Sequence, residues 1–157
     1  VLLEIGRAEI SEDDLSEKQL HDLDRALEAL GFERVTDRRR MLAEQAKAAI
    51  RAHVRDENHC RLNLSACLSE QLHMGYDAVS RMFSQIEGVS IEKYHIAQRV
   101  EFVKELISYG ELTLSEIADK AGYNSVSHLS RQFKDVTGVT TTQFMADGAH
   151  RTAINEL

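Results

Sequence analysis

A repeat of 50 residues constrains the fold of this 157-residue chain more than any other feature of its sequence. When the sequence is shifted by 50 positions without gaps, residues 64–94 align with residues 114–144. Two copies of one supersecondary unit predict two similarly folded parts of the molecule. Seven of the 31 aligned positions are identical: Leu64/Leu114, Ser65/Ser115, Ser80/Ser130, Arg81/Arg131, Phe83/Phe133, Gly88/Gly138 and Val89/Val139.

Each copy has the pattern of two helices joined by a tight turn. Apolar residues recur three or four positions apart, which is typical of amphipathic helices. This is the helix-turn-helix plan, in which the second helix of a unit enters the major groove of DNA. The predicted second helices are residues 76–86 and 126–136, and Phe83 and Phe133 are their predicted core anchors. The same packing role is predicted for Leu68, Val79, Met82, Ile117 and Leu129.

A single helix is predicted between the two copies, from Ile91 to about Ser108. A helix of about 18 residues is roughly 27 Å long, because each residue adds 1.5 Å. Two units on a rod of this length can reach successive major-groove faces, which lie roughly 34 Å apart along B-DNA. The predicted buried side of this helix consists of Ile96, Val100, Val103 and Ile107.

Before the repeat, the sequence predicts a small α+β segment and a long helix. Residues 1–10 are predicted to form one strand or a tight hairpin, and residues 32–35 a short strand. Residues 15–31 have the pattern of a helix that Ser16 and Gln19 cap and Gly31 ends. A second helix is predicted from residue 36 or 37 to about Val54, followed by a polar break at 56–61. The predicted buried stripe of the first helix is Leu20, Leu23, Leu27 and Leu30.

Charge and composition narrow the class of protein. The formal net charge is −7, and residues 59–157 hold 9 Lys and Arg against 12 Asp and Glu, a net charge of −3. Phosphate contacts favour basic surfaces, so a DNA-binding face in this chain must be a local patch. No apolar run approaches the roughly 18 residues that span a bilayer, and no secretory signal opens the chain. Two cysteines are too few for a disulfide scaffold, which favours a reducing, cytoplasmic location.

Candidate metal-binding and catalytic side chains lack the arrangement that either chemistry requires. His53, His59, Cys60, Cys67 and His73 fall within 21 residues, but they include no C-x-x-C pair. No His and Asp arrangement supports either cysteine as a nucleophile. The sequence therefore predicts no metal, no cofactor and no enzymatic activity.

Residues 112–144, LTLSEIADKAGYNSVSHLSRQFKDVTGVTTTQF, carry the elements I-A-x-x-x-G-Y, S-R-x-F-K and G-V-T together. They resemble the second helix-turn-helix of the AraC/XylS family of bacterial transcription regulators. Residues 64–108 resemble the first unit and linker helix of that family, and residues 38–55 resemble its leading helix. Two departures stand out, since the family usually has Pro where Thr141 stands and Arg where Met145 stands.

The resemblance implies a sequence-specific DNA-binding regulator whose partner is double-stranded promoter or operator DNA. RNA polymerase and a second copy of the chain are further partners that the resemblance allows. It also implies which side chains face DNA. In the first unit these are Asp77, Ser80 and Arg81, and in the second they are Val126, Ser127, Ser130 and Arg131, with His128 nearby and Lys134 as a backbone contact.

Several of these side chains have alternative interpretations. Arg81 and Arg131 can each bind guanine or a phosphate, or be solvated helix charges or intrahelical partners. Asp77 can accept from a cytosine amino group or favour the helix N-terminus. For Gln85, Gln132 and Lys134 the choice is between a phosphate contact and a solvated surface. For the Arg triplet at 38–40 the choices are a phosphate contact, an interdomain salt bridge and a plain surface.

Residues 1–35 resemble the second half of a ferredoxin-like heavy-metal-associated domain, whose paired-Cys loop is expected upstream of Val1. The predicted fold is mainly α, with two helix-turn-helix subdomains joined by a linker helix and a small α+β N-terminal piece. The predicted domains are 1–36 (partial ferredoxin-like), 37–148 (double helix-turn-helix) and 149–157 (tail). The rival interpretation is a protein-interaction module of this fold that has lost DNA binding, which the acidic second half and Asp77 favour.

Overall fold

The computed structural model describes residues 2–4, 7–9, 15–32, 34, 37–55 and 62–155, with side chains between residues 15 and 148 of these ranges. The chain divides into two compact parts, Val1–Asp37 and Arg38–Leu157. The elements described in the N-terminal part are two antiparallel strands, β1 (Leu2–Glu4) and β2 (Arg7–Glu9), and the helix α1 (Glu17–Ala29). The helices described after these are α2 (Asp37–Arg55), α3 (Leu64–Leu72), α4 (Tyr76–Glu87), α5 (Ile91–Tyr109), α6 (Leu114–Lys120), α7 (Val126–Thr137) and α8 (Thr141–Asn155).

The prediction of a mainly helical protein is confirmed. Within residues 1–10, Leu2–Glu4 pairs antiparallel with Arg7–Glu9, with Leu3 opposite Ala8, and the α+β assignment of this piece stays a prediction. The ferredoxin-like assignment of the N-terminal piece stays a prediction. Among the described residues, no helix is long and apolar enough to cross a membrane. The predicted polar break at 56–61 lies outside the described residues.

Helix α1 has the capping residues that its sequence predicts. Ser16 and Gln19 exchange hydrogen bonds as a capping box. At the other end Gly31 has φ +78°, and the Phe32 N–H donates to Leu27 O at 2.8 Å. This positive φ suits glycine, which has no Cβ to strain the left-handed conformation.

Two predictions around α1 are wrong. Leu30 was predicted in the buried stripe, but 72% of its surface is exposed, because it is the C-cap residue and its backbone has left helical geometry. The other three members of the stripe are only half-buried. The predicted strand at 32–35 lies partly outside the described residues, and Phe32 and Arg34 are not in a strand. Arg34 instead turns back to α1, where its Nε donates to Asp24 Oδ1 at 2.8 Å.

The 50-residue repeat is present in three dimensions. The pairs α3/α6, α4/α7 and α5/α8 each begin 50 residues apart. Helices α4 and α7 both end at a glycine with positive φ, Gly88 and Gly138. Both are one residue longer than predicted. The repeated sequence therefore encodes a repeated structure, including the glycine C-caps of α4 and α7.

The two turns differ in the residue that takes positive φ. In the second unit it is Gly122, at φ +72°, and in the first unit it is His73, at φ +53°. A side chain in this region of φ costs about 1–2 kcal/mol. Because α3 is two residues longer than α6, the first turn begins later and the left-handed position falls on histidine.

Substitutions at the two left-handed turn positions are expected to change the free energy of unfolding in opposite directions. Replacing the exposed His73 with glycine is expected to raise the free energy of unfolding by about 0.5–1 kcal/mol, because the backbone strain is relieved. Replacing Gly122 with alanine is expected to lower it by about 1 kcal/mol. Urea unfolding of both variants measures this, and destabilisation by His73→Gly would show that its side chain is needed.

Two hydrophobic cores form, one in each helix-turn-helix unit. The core anchors Phe83 and Phe133 are fully buried, which confirms their predicted role. Helix α2 contributes to both cores, with Ile50 in the first and Val54 in the second. Helix α5 does the same from Ile91 to Ile107. Helices α2 and α5 therefore form the common support for both units.

Polar contacts fasten α2 to α5. Arg55 donates to both carboxylate oxygens of Glu105, at 2.6 and 2.8 Å, and its guanidinium lies 5.0 Å from the centroid of the Phe102 ring. The arginine holds the pKa of Glu105 below its ordinary value. Such two-pronged pairs fix geometry as well as charge.

The half-buried His95 of α5 makes stability depend on pH. Burial, with Arg99 and His53 nearby, lowers its pKa from 6.5 to about 4. Between these values the unfolded chain binds a proton that the folded chain does not, so acidification favours unfolding. We expect the protein to lose about 1 kcal/mol more stability than His95→Gln between pH 7 and pH 5, after allowing for solvent screening. Urea unfolding at both pH values measures this, and equal losses would contradict it.

Candidate nucleic-acid interface

The second recognition helix, α7, separates its packing residues from an exposed polar stripe. Ser125 caps the helix by accepting the His128 N–H at 3.1 Å. Leu129 and Phe133 are fully buried. The opposite side carries residues at the i, i+3, i+4 and i+7 positions of one helix face. This second stripe consists of Ser127, Ser130, Arg131 and Lys134, of which only Ser130 is half-buried.

The first recognition helix, α4, has an equivalent stripe of different chemistry. Its members are Asp77, Ser80, Arg81 and Ser84. Asp77 and Arg81 are exposed, and the Arg81 Nε donates to Asp77 O of its own helix at 3.4 Å. The first stripe thus has an acidic residue where the second has Ser127, and Ser84 where the second has Lys134.

This difference gives the recognition helices opposite formal charges. Helix α4 carries Asp77 and Glu87 against Arg81, a net charge of −1. Helix α7 carries Arg131 and Lys134 against Asp135, a net charge of +1. Glu87 is paired with Lys47 at 3.2 Å, so the charges on the stripes themselves are Asp77 and Arg81 on α4 against Arg131 and Lys134 on α7. A polyanion is therefore attracted more strongly to α7 than to α4.

Two further predicted contact residues lie at the start of α7. Val126 is half-buried and packs on the second core, so only part of its side chain is open to a partner. His128 is exposed, and its ring lies 5.3 Å from the Tyr123 ring in an edge-on arrangement. Both residues border the second stripe rather than lie at its centre.

The predicted phosphate contacts occupy three different environments. Lys134 is exposed. Gln132 is half-buried, with its Oε1 enclosed. Gln85 is exposed, and its Oε1 accepts from Arg39 Nη2 at 2.6 Å. The middle residue of the Arg triplet at 38–40 thus contacts the first recognition helix, and the alternatives for the triplet stay predictions.

Sequence reasoning missed the contact of Arg99 with the turn before α7. Arg99 is half-buried on α5, and its guanidinium lies over the Tyr123 ring, 3.7 Å from the centroid. The one signal available was a charged residue beside Val100 in an otherwise apolar helix face. That signal marks an unusual position, but it does not reveal the partner.

Comparisons with known proteins agree with this geometry. Residues 68–147, about half of the chain, match a family profile described as a helix-turn-helix domain. An uncharacterized HTH-type transcriptional regulator of Staphylococcus aureus is 32% identical over 98 residues, which are 62% of this chain. The matched stretch covers only 13% of that relative's length.

Solved structures share the fold. The C-terminal domain of AraT, a response regulator from Geobacillus stearothermophilus, has a TM-score of 0.59 and 28% identity, covering 68% of this chain and 84% of that one. The DNA-binding domain of the global transcriptional factor AdpA, in complex with a target DNA, has a TM-score of 0.57 and 21% identity. That similarity covers 68% of this chain and 95% of the AdpA domain.

Proposed function

Because the chain belongs to the AraC-type family of helix-turn-helix proteins, we propose that it acts as a sequence-specific, DNA-binding transcriptional regulator. The observation that carries the proposal is the second stripe. It places Arg131 and Lys134 on the exposed side of a helix whose opposite side is anchored by a fully buried Phe133. A rigid helix with an open cationic face suits insertion into the major groove. The AdpA domain, which shares this fold, binds its target DNA.

Individual roles follow from the chemistry of the two stripes. Arg131 is proposed to bind guanine with two hydrogen bonds, and Ser127 and Ser130 to reach neighbouring base edges. Lys134, further along α7, is proposed to contact phosphate. In the first unit Ser80 and Arg81 are proposed base contacts, and Asp77 is the proposed acceptor for a cytosine amino group.

The proposal extends to the organisation of the chain. Residues 37–148 are proposed to form the DNA-binding domain, in the cytoplasm, with promoter or operator DNA as partner. The hairpin and α1 support the proposal that residues 1–36 form part of a ferredoxin-like fold. RNA polymerase and a second copy of the chain stay predicted partners.

The salt dependence of DNA binding tests this function against the rival interaction module. Three exposed cations lie on the stripes, Arg81, Arg131 and Lys134. Each neutralised phosphate contributes roughly −0.9 to the slope of log affinity against log salt, so we expect a slope of about −3 or steeper. Fluorescence anisotropy of a labelled duplex at salt concentrations from about 50 to about 200 mM measures this slope. No measurable binding at low salt would favour the rival.

A further inference from the structure

Arg99, in the middle of α5, makes three contacts with the turn that precedes the second recognition helix. Its Nε donates to Ala121 O at 3.0 Å, and its Nη2 donates to Gly122 O at 2.6 Å. Its Cζ lies 3.7 Å from the centroid of the Tyr123 ring. Together these contacts fix both the position and the tilt of a planar guanidinium, which the single ammonium of lysine does not reproduce.

The hydrogen-bond partners of Arg99 are backbone carbonyls rather than a carboxylate. Ala121 is the C-cap of α6 and Gly122 follows it, where carbonyls have lost their intrahelical partners. Among the described residues, no carboxylate forms an ion pair with Arg99. Burial lowers the pKa of this guanidinium, and the two carbonyls and the ring compensate its lost hydration. The contact therefore holds the backbone of the turn in place.

Tyr123 passes this restraint on to α7. Its side chain is 6% exposed, and its N–H donates to Ala118 O at 2.8 Å. The Tyr123 ring also contacts the His128 ring, 5.3 Å away at an interplanar angle of 84°. His128 is the third residue of α7, so a side chain on α5 is linked through one aromatic ring to the first turn of the recognition helix.

We propose that Arg99 is a positioning residue, which orients the first turn of α7 through Tyr123 and His128 without touching DNA. The proposal rests on the proposed function, because the same turn presents Val126 and Ser127 to the base edges. Hydrogen bonds to base edges weaken steeply once donor and acceptor are misaligned. A change at Arg99 therefore alters which bases the second unit prefers, and leaves the first unit unaffected.

The first unit contains a matched control. Arg51 Nη1 donates to Tyr94 Oη at 3.0 Å, and the Tyr94 ring packs edge-on against Phe83 of α4 at 5.5 Å. An arginine thus reaches a recognition helix through a tyrosine in this unit too. Arg51 is exposed and Arg51→Lys keeps a donor for Tyr94 Oη, so this variant controls for the exchange of arginine for lysine itself.

The first arm of the test is NMR of the whole 157-residue chain without DNA. The Tyr123 ring, 5.3 Å from the His128 ring, gives the His128 ring protons a distinctive chemical shift. We expect Arg99→Lys and Arg99→Met to move these signals, and Arg51→Lys to leave them in place. If Arg99→Met fails to fold, Arg99→Lys decides the result. Unchanged His128 signals in a folded Arg99 variant would overturn the proposal.

The second arm measures anisotropy on a preferred duplex and on a set of single base-pair changes across it. For Arg99→Lys we expect discrimination to fall about tenfold at the base pairs under the second unit. Discrimination under the first unit is expected to stay within about twofold, as for distant sites. Arg51→Lys is expected to keep discrimination under both units within about twofold. A uniform loss across all base pairs, or no loss, would overturn the positioning role.

The two arms separate this proposal from the proposed function. If the wild-type protein binds no duplex, the proposed function fails, and the NMR arm still decides whether Arg99 orients α7. If the wild-type protein binds and Arg99→Lys keeps the wild-type base preferences, the DNA-binding function stands and the positioning role fails.

Discussion

Replacing Phe133 with alanine is expected to lower the free energy of unfolding by about 3–5 kcal/mol. The ring is fully buried and meets the Phe144 ring edge-on at 5.5 Å, so both transfer energy and packing are lost. Its neighbours in the second core include Leu129 and Ile117. Because Phe133 is part of one helix-turn-helix unit, the loss is expected to fall mainly there.

Hydrogen exchange locates this effect, and urea unfolding gives its size. Amides of α6 and α7 are expected to lose protection in Phe133→Ala, and amides of α4 to keep theirs, because Phe83 anchors a separate core. Val136→Ala is the control, since Val136 lies on the same helix but is 48% exposed, and its effect is expected to stay within about 0.5 kcal/mol. A loss below about 1 kcal/mol in Phe133→Ala would contradict the packing of α7.

Replacing Arg131 with alanine is expected to weaken binding to a preferred duplex by about 1–3 kcal/mol and to relax specificity at one base step. The side chain is exposed, and the structure gives it no hydrogen bond or ion pair to a described residue. Its guanidinium is therefore open to a base edge. Anisotropy titrations on the preferred duplex and on variants of that base step measure the change.

Two other substitutions on the stripes sharpen the expectation for Arg131. Lys134→Ala is expected to weaken binding to all sequences alike and to reduce the salt slope by about 1, as a phosphate contact does. Arg81→Ala is expected to weaken DNA binding less than Arg131→Ala does, because Arg81 donates to its own helix and lies beside the acidic Asp77. Binding by Arg131→Ala equal to that of the wild type would show that this residue does not contact a base.

Much of the fold could be predicted from local sequence patterns, several of which recur in the two copies of the repeat. The cap at Ser16 joins its side chain to the backbone N–H of Gln19, three residues on, so its geometry is encoded by adjacent sequence. The anchors Phe83 and Phe133 were evident from helical spacing together with their recurrence 50 residues apart. Such features need no knowledge of how distant helices meet.

The residues that were missed depend on distant contacts. Arg99 meets carbonyls of a turn more than twenty residues later, and Arg39 meets Gln85 of another helix. Periodicity reports which side of a helix is apolar, but not which backbone atoms lie opposite a charge. The prediction that Leu30 is buried was wrong for a local reason. A spacing pattern does not show that this residue is the C-cap and has already left helical geometry.

The two units differ in the charges of their stripes, which the sequence shows, and the structure shows that these residues occupy equivalent positions. Asp77 and Ser84 on the first stripe replace Ser127 and Lys134 on the second. Both stripes have the same placement on equivalent helices, so the difference lies in chemistry rather than in fold. The second unit is therefore expected to contribute more of the affinity for DNA.

Selection of bound sequences from a pool of random duplexes tests the central claim most directly. Two blocks of preferred base pairs are expected, separated by about one helical turn, roughly 10 base pairs. The block read by α7 is expected to show the stronger preference, with a guanine opposite Arg131. Enrichment of two such blocks would establish sequence-specific reading by two helices. Recovery of unenriched sequences at low salt would contradict it.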